Sequence, residues 1–402
     1  MIKISGVLSK AHSQLFRPVI LVVTSYFLID RRGIEGPIGE HYVGLYGTFA
    51  KNYSKLYKVF WYSTDDSTLH IFNENGNVAN SAKMPMPIAI LKASAEARKS
   101  RESPSFTAII AYYYAAKNRP VSYFISLSFF HLLKMLGLVN VIVDIVDPPV
   151  EVHITYSESP SPRKVFWGTL LDIVTLKRGT FMWFCSTSYQ KYLTKRYDIS
   201  LDRTHVIYDG SVPELITPKP PKAKGPLTVF YSGSMLNIKG IPQLIESINE
   251  LRKKGVEITL MLTGGRLRVR SRPWIKSFWF KDWFEWIRAL CEEADICVVP
   301  YPKRLHWDLT HHIKLPDYMA AGKPIVAMYG RETASLLEKH KCGLTATNWD
   351  EFQEHIIRLY KDRELAKTLG ENGRKAVEEF FNYTNLSEML HKVIQGHLKV
   401  AH

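Results

Sequence analysis

Leu227 to Gly255 reads LTVFYSGSMLNIKGIPQLIESINELRKKG, and the fold class follows from it. LTVFYS is strand-length, aromatic and β-branched, without the polar alternation of a half-exposed strand, so it reads as buried on both faces. The strand ends at Ser232-Gly233-Ser234, and a helical pattern begins just after Lys239-Gly240. Small residues at such a junction let the backbone approach a ligand. Free N–H groups of the following turn, together with a lysine ammonium, would neutralise a diphosphate. The same strand–Gly–helix junction also serves purely structural ends in α/β proteins.

The pattern repeats outward from there. Downstream come strand ITLMLTGG, helix WFEWIRALCEEA, strand DICVVPY, helix KLPDYMAAG, strand PIVAMYG, helix ETASLLEKHK and a long helical C-terminal region. Upstream, VILVVTSYFL, LYKVFWYS, TLHIF, FTAIIAYY, VSYFISLS and NVIVDIVD read as strands, with MWFCSTS and THVIYDG continuing the series. EHYVGLYGTFAKNY and FFHLLKMLG read as helices between them. Strands alternating with helices predict parallel sheets, and 402 residues predict more than one core. PELITPKPPKAKG, rich in proline and lysine, reads as a linker over 213–225. The expected architecture is α/β: a Rossmann-like domain over 1–212, the linker, and a second such domain over 226–382. A last helix over 383–402 is expected to pack back on the first domain. Two doubly wound parallel-sheet domains facing a central cleft put the ligand beyond the carboxyl ends of the strands.

Composition narrows the chemistry. Hydrophobic residues at 46% and charged residues at 23% exclude a disordered chain. Four cysteines without CxxC spacing suggest neither a disulfide framework nor a zinc site, and fit a reducing, cytoplasmic setting. A net charge of +15 favours polyanionic partners: phosphorylated substrates, an anionic membrane surface or nucleic acid. No stretch is long and apolar enough to span a bilayer. MIKISGVLSKAHSQLFR could form a basic amphipathic helix on a membrane surface, or be an ordinary terminus.

A second chemical segment is HHIKLPDYMAAGKPIVAM, His311 to Met328. Lys314 and Asp317 are neighbours on one helical face, a lysine that can meet phosphate and a carboxylate that can accept from ribose hydroxyls. Alternatively they form a surface ion pair. At the end of NVIVDIVDPP, Asp147 could orient an acceptor hydroxyl or stabilise oxocarbenium charge, or cap the turn before Pro148-Pro149. Arg266 to Trp286 interleaves arginines with aromatics, which suits an exposed strand edge, a membrane interface, an anionic lipid-linked acceptor or single-stranded nucleic acid.

Together the two segments resemble family-4 glycosyltransferases of the GT-B fold. Lys314 to Pro324, KLPDYMAAGKP, matches the form K-x-x-E-Y-M-A-x-G-K-P with Asp for Glu. Thr263-Gly264-Gly265, Ala294-Asp295-Ile296 before VVPY, and VIYDGS also fit the family's order. The resemblance is motif-specific in the C-terminal half and topological in the N-terminal half. It implies transfer of a hexose from a nucleotide-diphosphate sugar to a glycan or lipid-linked acceptor, with retention of configuration. No metal or cofactor is implied, because lysines and helix N-termini supply the positive field. Donor contacts are then expected from Gly39, in a glycine loop Gly33 to Gly39, and from Ser234, Lys239, Gly264, Lys314 and Asp317. Asp147, His311 and His312 are the catalytic candidates. The two histidines could touch hydroxyls or phosphate, or be polar loop residues. Two departures stand out: Ser234 lies where the family has an arginine, and Leu309 where it has a glutamate, with Asp308 nearby. They keep open a non-catalytic GT-B-like protein that binds a nucleotide sugar or a partner. Nucleic acid is the least favoured partner. The expected location is cytoplasmic, at the cytosolic face of a membrane.

Overall fold

The computed structural model describes residues 17–24, 41–64, 66–99, 105–112, 120–264, 272–280 and 282–400. The basic N-terminal segment, the loop holding Gly39 and the arginines from Arg266 to Arg270 lie outside these residues.

The first sheet is built from β1 (Val19–Thr24), β2 (Lys58–Ser63), β3 (Thr68–Phe72), β4 (Val78–Lys83), β5 (Phe106–Tyr112), β6 (Val139–Ile145), β7 (Phe181–Phe184) and β8 (Thr204–Val206). Their order across the sheet is β4-β3-β2-β1-β5-β6-β7-β8. All neighbours are parallel except the β2-β3-β4 meander at one edge. β1 and β5 are buried along their whole length, as central parallel strands with helices on both faces must be. The helices of this half are α1 (His41–Tyr53), α2 (Met86–Ala97), α3 (Pro120–Met135), α4 (Pro149–Tyr156), α5 (Pro162–Arg178) and α6 (Thr187–Tyr197).

One sequence expectation fails here. VSYFISLS is not a strand; it forms the first part of α3. An apolar run of eight residues cannot be told from a buried helix by periodicity alone. It continues into FFHLLKM as one sixteen-residue helix beginning at Pro120. The polar strand β4 shows no apolar run in the sequence and exists only as an edge partner of β3.

The second sheet holds β9 (Leu227–Ser232), β10 (Ile258–Thr263), β11 (Ile275–Phe278), β12 (Ile296–Val299), β13 (Ile325–Met328) and β14 (Gly343–Ala346). It is parallel throughout, in the order β11-β10-β9-β12-β13-β14. The direction of winding reverses between β9 and β12, which opens a crevice at their carboxyl ends. Around it lie α7 (Ile241–Lys253), α8 (Trp283–Glu293), α9 (Leu305–Leu309), α10 (Leu315–Ala320), α11 (Arg331–His340), α12 (Trp349–Lys361), α13 (Arg363–Phe380) and α14 (Tyr383–Val400). In α7, Ile241, Leu244, Ile245, Ile248 and Leu251 form one buried stripe against β9 and β10.

The chain passes between the halves twice, side by side. Ser211 N–H donates to the Phe381 carbonyl at 2.8 Å, and Tyr383 N–H donates to the Ser211 carbonyl at 3.1 Å. From there α14 packs along α1, with the Tyr383 ring filling the space beside Gly44. A second junction joins the halves near the cleft. The buried Glu332 carboxylate of α11 accepts from the N–H groups of Thr187 and Ser188, at 3.2 and 2.8 Å, and from the Tyr208 hydroxyl at 2.7 Å. An anion on the free N–H groups of α6 suits that helix end.

Candidate functional site

A cleft of about 330 Å³ opens where the carboxyl ends of β6, β9 and β12 converge. β6 contributes Val146 and Asp147. β9 and the turn after it contribute Tyr231, Ser232, Gly233 and Lys239. β12 and the segment after it contribute Tyr301, His306, Trp307 and Thr310 through Lys314.

Lys239 reaches the cleft because of Gly240. The short turn Asn237–Lys239 ends at Gly240 in the left-handed region, φ 76°, and α7 starts there. The ammonium lies 5.0 Å from the Tyr301 ring centre and 5.9 Å from that of Tyr156. Burial lowers its pKa to about 8, against the opposing pull of Asp147. A desolvated ammonium between aromatic walls interacts more strongly with a phosphate oxygen than one in bulk water. Lys314 also lines the cleft, its Nζ 4.9 Å from the ring centre of Trp286.

Opposite them stands a histidine that sequence reasoning passed over. His306 Nε2 faces Asp147 Oδ1 at 3.5 Å, while Nδ1 lies 2.6 Å from the hydroxyl of the fully buried Tyr189. Burial first, and then the nearby Lys239 charge, lower the His306 pKa to about 3. The ring is therefore neutral at pH 7. With Nε2 toward a carboxylate the proton resides on that nitrogen, and Nδ1 accepts from Tyr189. Asp147 thus sets the tautomer, and the Tyr189 hydroxyl, donating to Nδ1, holds the ring in place against it. The cluster of histidines in RLHWDLTHH was the available sequence signal; Tyr189, far away in sequence, gave none.

The other candidates divide. His311 and His312 both line the cleft. His311 Nε2 lies 3.4 Å from Asp209 Oδ2, and the Tyr208 ring stands edge-on to its imidazole. His312 stands edge-on to Tyr301, with ring centres 4.3 Å apart, and burial holds its pKa well below the ordinary histidine value. Ser234 lies just beyond the lining residues Ser232 and Gly233. Gly264, φ 109°, backs onto Gly233, where a Cβ would meet the Gly233 carbonyl oxygen at 2.7 Å. It therefore shapes the strand end without lining the cleft.

Asp317 is not brought to the cleft surface. It is fully buried and its Oδ1 accepts from the Ser211 hydroxyl at 2.6 Å. Burial raises its pKa to about 6, opposed by Lys314 and by the Ser211 hydrogen bond. Asp308 is likewise turned away: Oδ1 accepts from Arg331 N–H at 2.9 Å, and Oδ2 pairs with the guanidinium at 3.0 Å. Asp144, within β6, is buried and accepts from the Tyr46 hydroxyl at 2.6 Å. Leu309 is buried, with its carbonyl accepting from the Ser186 hydroxyl. Among the described residues no group of three His, Cys, Asp or Glu side chains is arranged to hold a metal ion. No described helix is long and apolar enough to cross a membrane.

Two parallel sheets with facing carboxyl ends, a C-terminal helix returning to the first domain and cations at the cleft define the architecture. The fold is GT-B. Residues 226–362 match the family model described as glycosyl transferases group 1. No curated protein sequence matches the chain. Among solved structures, sucrose-phosphate synthase from Thermosynechococcus elongatus superimposes with a TM-score of 0.67 at 15% identity, covering 96% of this chain and 100% of that one. HepE of Anabaena, solved in complex with UDP-glucose, gives 0.61 at 13% identity over 94% and 99% of the two chains. A glycosyltransferase from Rickettsia africae gives 0.61 at 16% identity over 95% and 98%. At such identities the likeness to these GT-B structures is one of fold.

Proposed function

We propose that this protein is a family-4 glycosyltransferase that moves a hexose from a nucleoside-diphosphate sugar to a glycan or lipid-linked acceptor, with retention of configuration and without a metal. The observation that carries the reading is the pair of ammonium groups, Lys239 and Lys314, lining one cleft at the strand ends of both sheets. A leaving diphosphate gathers negative charge as the glycosidic bond breaks, and fixed cations in a poorly hydrated cleft lower that barrier. Lys239 and Lys314 hold the diphosphate. Asp147, oriented by His306, faces the reacting sugar from the N-terminal domain and stabilises the positive charge that develops on its ring. His311 and His312 bind sugar hydroxyls, His312 as a ring that burial keeps neutral. The donor match is supported by HepE, whose structure holds UDP-glucose on the same fold. The net charge of +15 supports work at the anionic, cytosolic face of a membrane.

Nucleotide release from a panel of UDP- and GDP-sugars, with and without acceptor saccharides, tests the reading. Lys314→Ala is expected to weaken UDP binding about tenfold or more in calorimetry, the scale of one lost charged hydrogen bond. Unchanged affinity would remove Lys314 from the donor site. Tyr189→Phe is expected to leave UDP affinity unaltered and to lower kcat about tenfold, because His306 loses the Nδ1 partner that holds its ring against Asp147. A variant with both values unaltered would break the link from Tyr189 to Asp147. Donor binding without release, under every acceptor tried, would favour the non-catalytic reading that the Leu309 and Ser234 departures motivate.

A further inference from the structure

On α5, one side is core and the other is exposed among the described residues. Leu171, Asp172, Thr175 and Leu176 are buried, while Phe166, Trp167, Leu170 and Ile173 are exposed, Phe166 by 62% and Trp167 by 57%. At 100° per residue the four exposed side chains form one stripe, with the exposed Arg163 at its start and Lys177 at its end. The stripe runs about 21 Å, the rise of fourteen residues of helix. Lys134 donates to the Arg178 carbonyl at 3.0 Å, which ties the end of α3 to the end of α5. There the exposed Leu132 and Met135 (73%), and Leu136 just after the helix, extend the apolar surface. Along its first half α5 packs on α4, Gly168 against Val150, and α4 ends at Tyr156, which lines the cleft.

A soluble protein seldom leaves so many large apolar side chains together in water, and such a patch marks an interaction surface. Charge decides the partner. The only acidic residue in α3 and α5 is Asp172, and it is buried, with both carboxylate oxygens accepting from the Tyr112 and Tyr197 hydroxyls. Every exposed charge on the stripe is positive. Aromatic and aliphatic side chains between terminal cations are what a helix lying in the headgroup region of an anionic bilayer presents.

We propose that α5, with the end of α3, is a membrane-docking face that seats the N-terminal half on anionic lipid beside the cleft. Phe166, Trp167, Leu170 and Ile173 enter the headgroup boundary, and Arg163 and Lys177 pair with lipid phosphates. The acceptor that enters next to Tyr156 is then anchored in that membrane. This last step alone rests on the transferase reading; the docking does not.

The test is co-sedimentation of the full chain with phosphatidylcholine vesicles, with and without phosphatidylglycerol, alongside UDP calorimetry. The protein is expected to bind the anionic vesicles and to be released by salt. Phe166→Ser with Trp167→Ser, and separately Arg163→Glu with Lys177→Glu, are expected to lower vesicle binding at least tenfold with UDP heats unchanged. Unaltered sedimentation in both double variants would overturn the proposal, as would absence of vesicle binding. A dimer that dissociates in the serine variant, without loss of vesicle binding, would assign the stripe to a second copy and overturn it too. Vesicle binding by a chain that takes no donor would instead refute the transferase reading and leave the docking face standing.

Discussion

Replacing Lys239 by methionine is expected to cut sugar transfer by about three orders of magnitude while making the unliganded protein more stable. Removal of one preorganised charge from a dry site costs about 10²–10³ in rate, and Lys239 stands in the more enclosed half of the cation pair. The stability gain follows from the lowered pKa. In the folded protein Lys239 loses its proton near pH 8, while in the unfolded chain it does so near 10.4. Below pH 8 both states carry the charge and the folded state bears the whole cost of burying it. As pH rises from 8 to about 10.4 that cost disappears, because both states become neutral. At pH 7 the methionine variant is therefore expected to unfold with a free energy about 1–3 kcal/mol higher than the parent, a figure reduced for the lysine's residual contact with water. The advantage shrinks above pH 8. The parent's affinity for UDP is expected to fall as pH rises through the same value, and the variant's to be nearly flat across it. Denaturant titrations and UDP calorimetry at pH 7 and 9.5 measure both effects. A methionine variant that still transfers sugar at the parental rate would remove Lys239 from the mechanism.

Replacing Gly240 by alanine is expected to damage both fold and site. Its φ of 76° alone costs an L-residue about 1–2 kcal/mol. In addition, a Cβ there would run into the carbonyl oxygen of Pro300 and press on Trp349. The turn after β9 would have to move away from the end of β12, carrying Lys239 and the start of α7 with it. A loss of about 3 kcal/mol or more is expected, or roughly 6–12 °C in Tm for a domain of this size. Gly137 is the control. It has φ 68° with nothing within 4 Å of its Cβ position, so Gly137→Ala carries only the backbone cost. Equal Tm losses in the two variants would show that the Pro300 contact is unimportant. A larger loss for Gly240, with UDP affinity reduced in step, would tie the cleft's main cation to that close approach.

The sequence by itself settled the α/β class and the order of most strands, because strands buried on both faces must be apolar throughout. Runs such as VILVVT and LTVFYS are buried at every position. It could not separate strand from helix in VSYFISLS, where the apolar content is equal in both, and the polar β4 was invisible without its partner. Lys239 and Lys314 were legible as cations beside Gly-rich strand ends, since that chemistry depends on local spacing. Contacts between distant segments decided the rest. Asp317 looks like a surface carboxylate in the sequence and is buried under Ser211, more than a hundred positions upstream. His306 looks like a loop residue, yet Tyr189 and Asp147 give it a fixed tautomer from the other domain. The chain's own pattern specifies which backbone runs through the core; which side chains then face one another across the cleft depends on how two separately wound sheets meet.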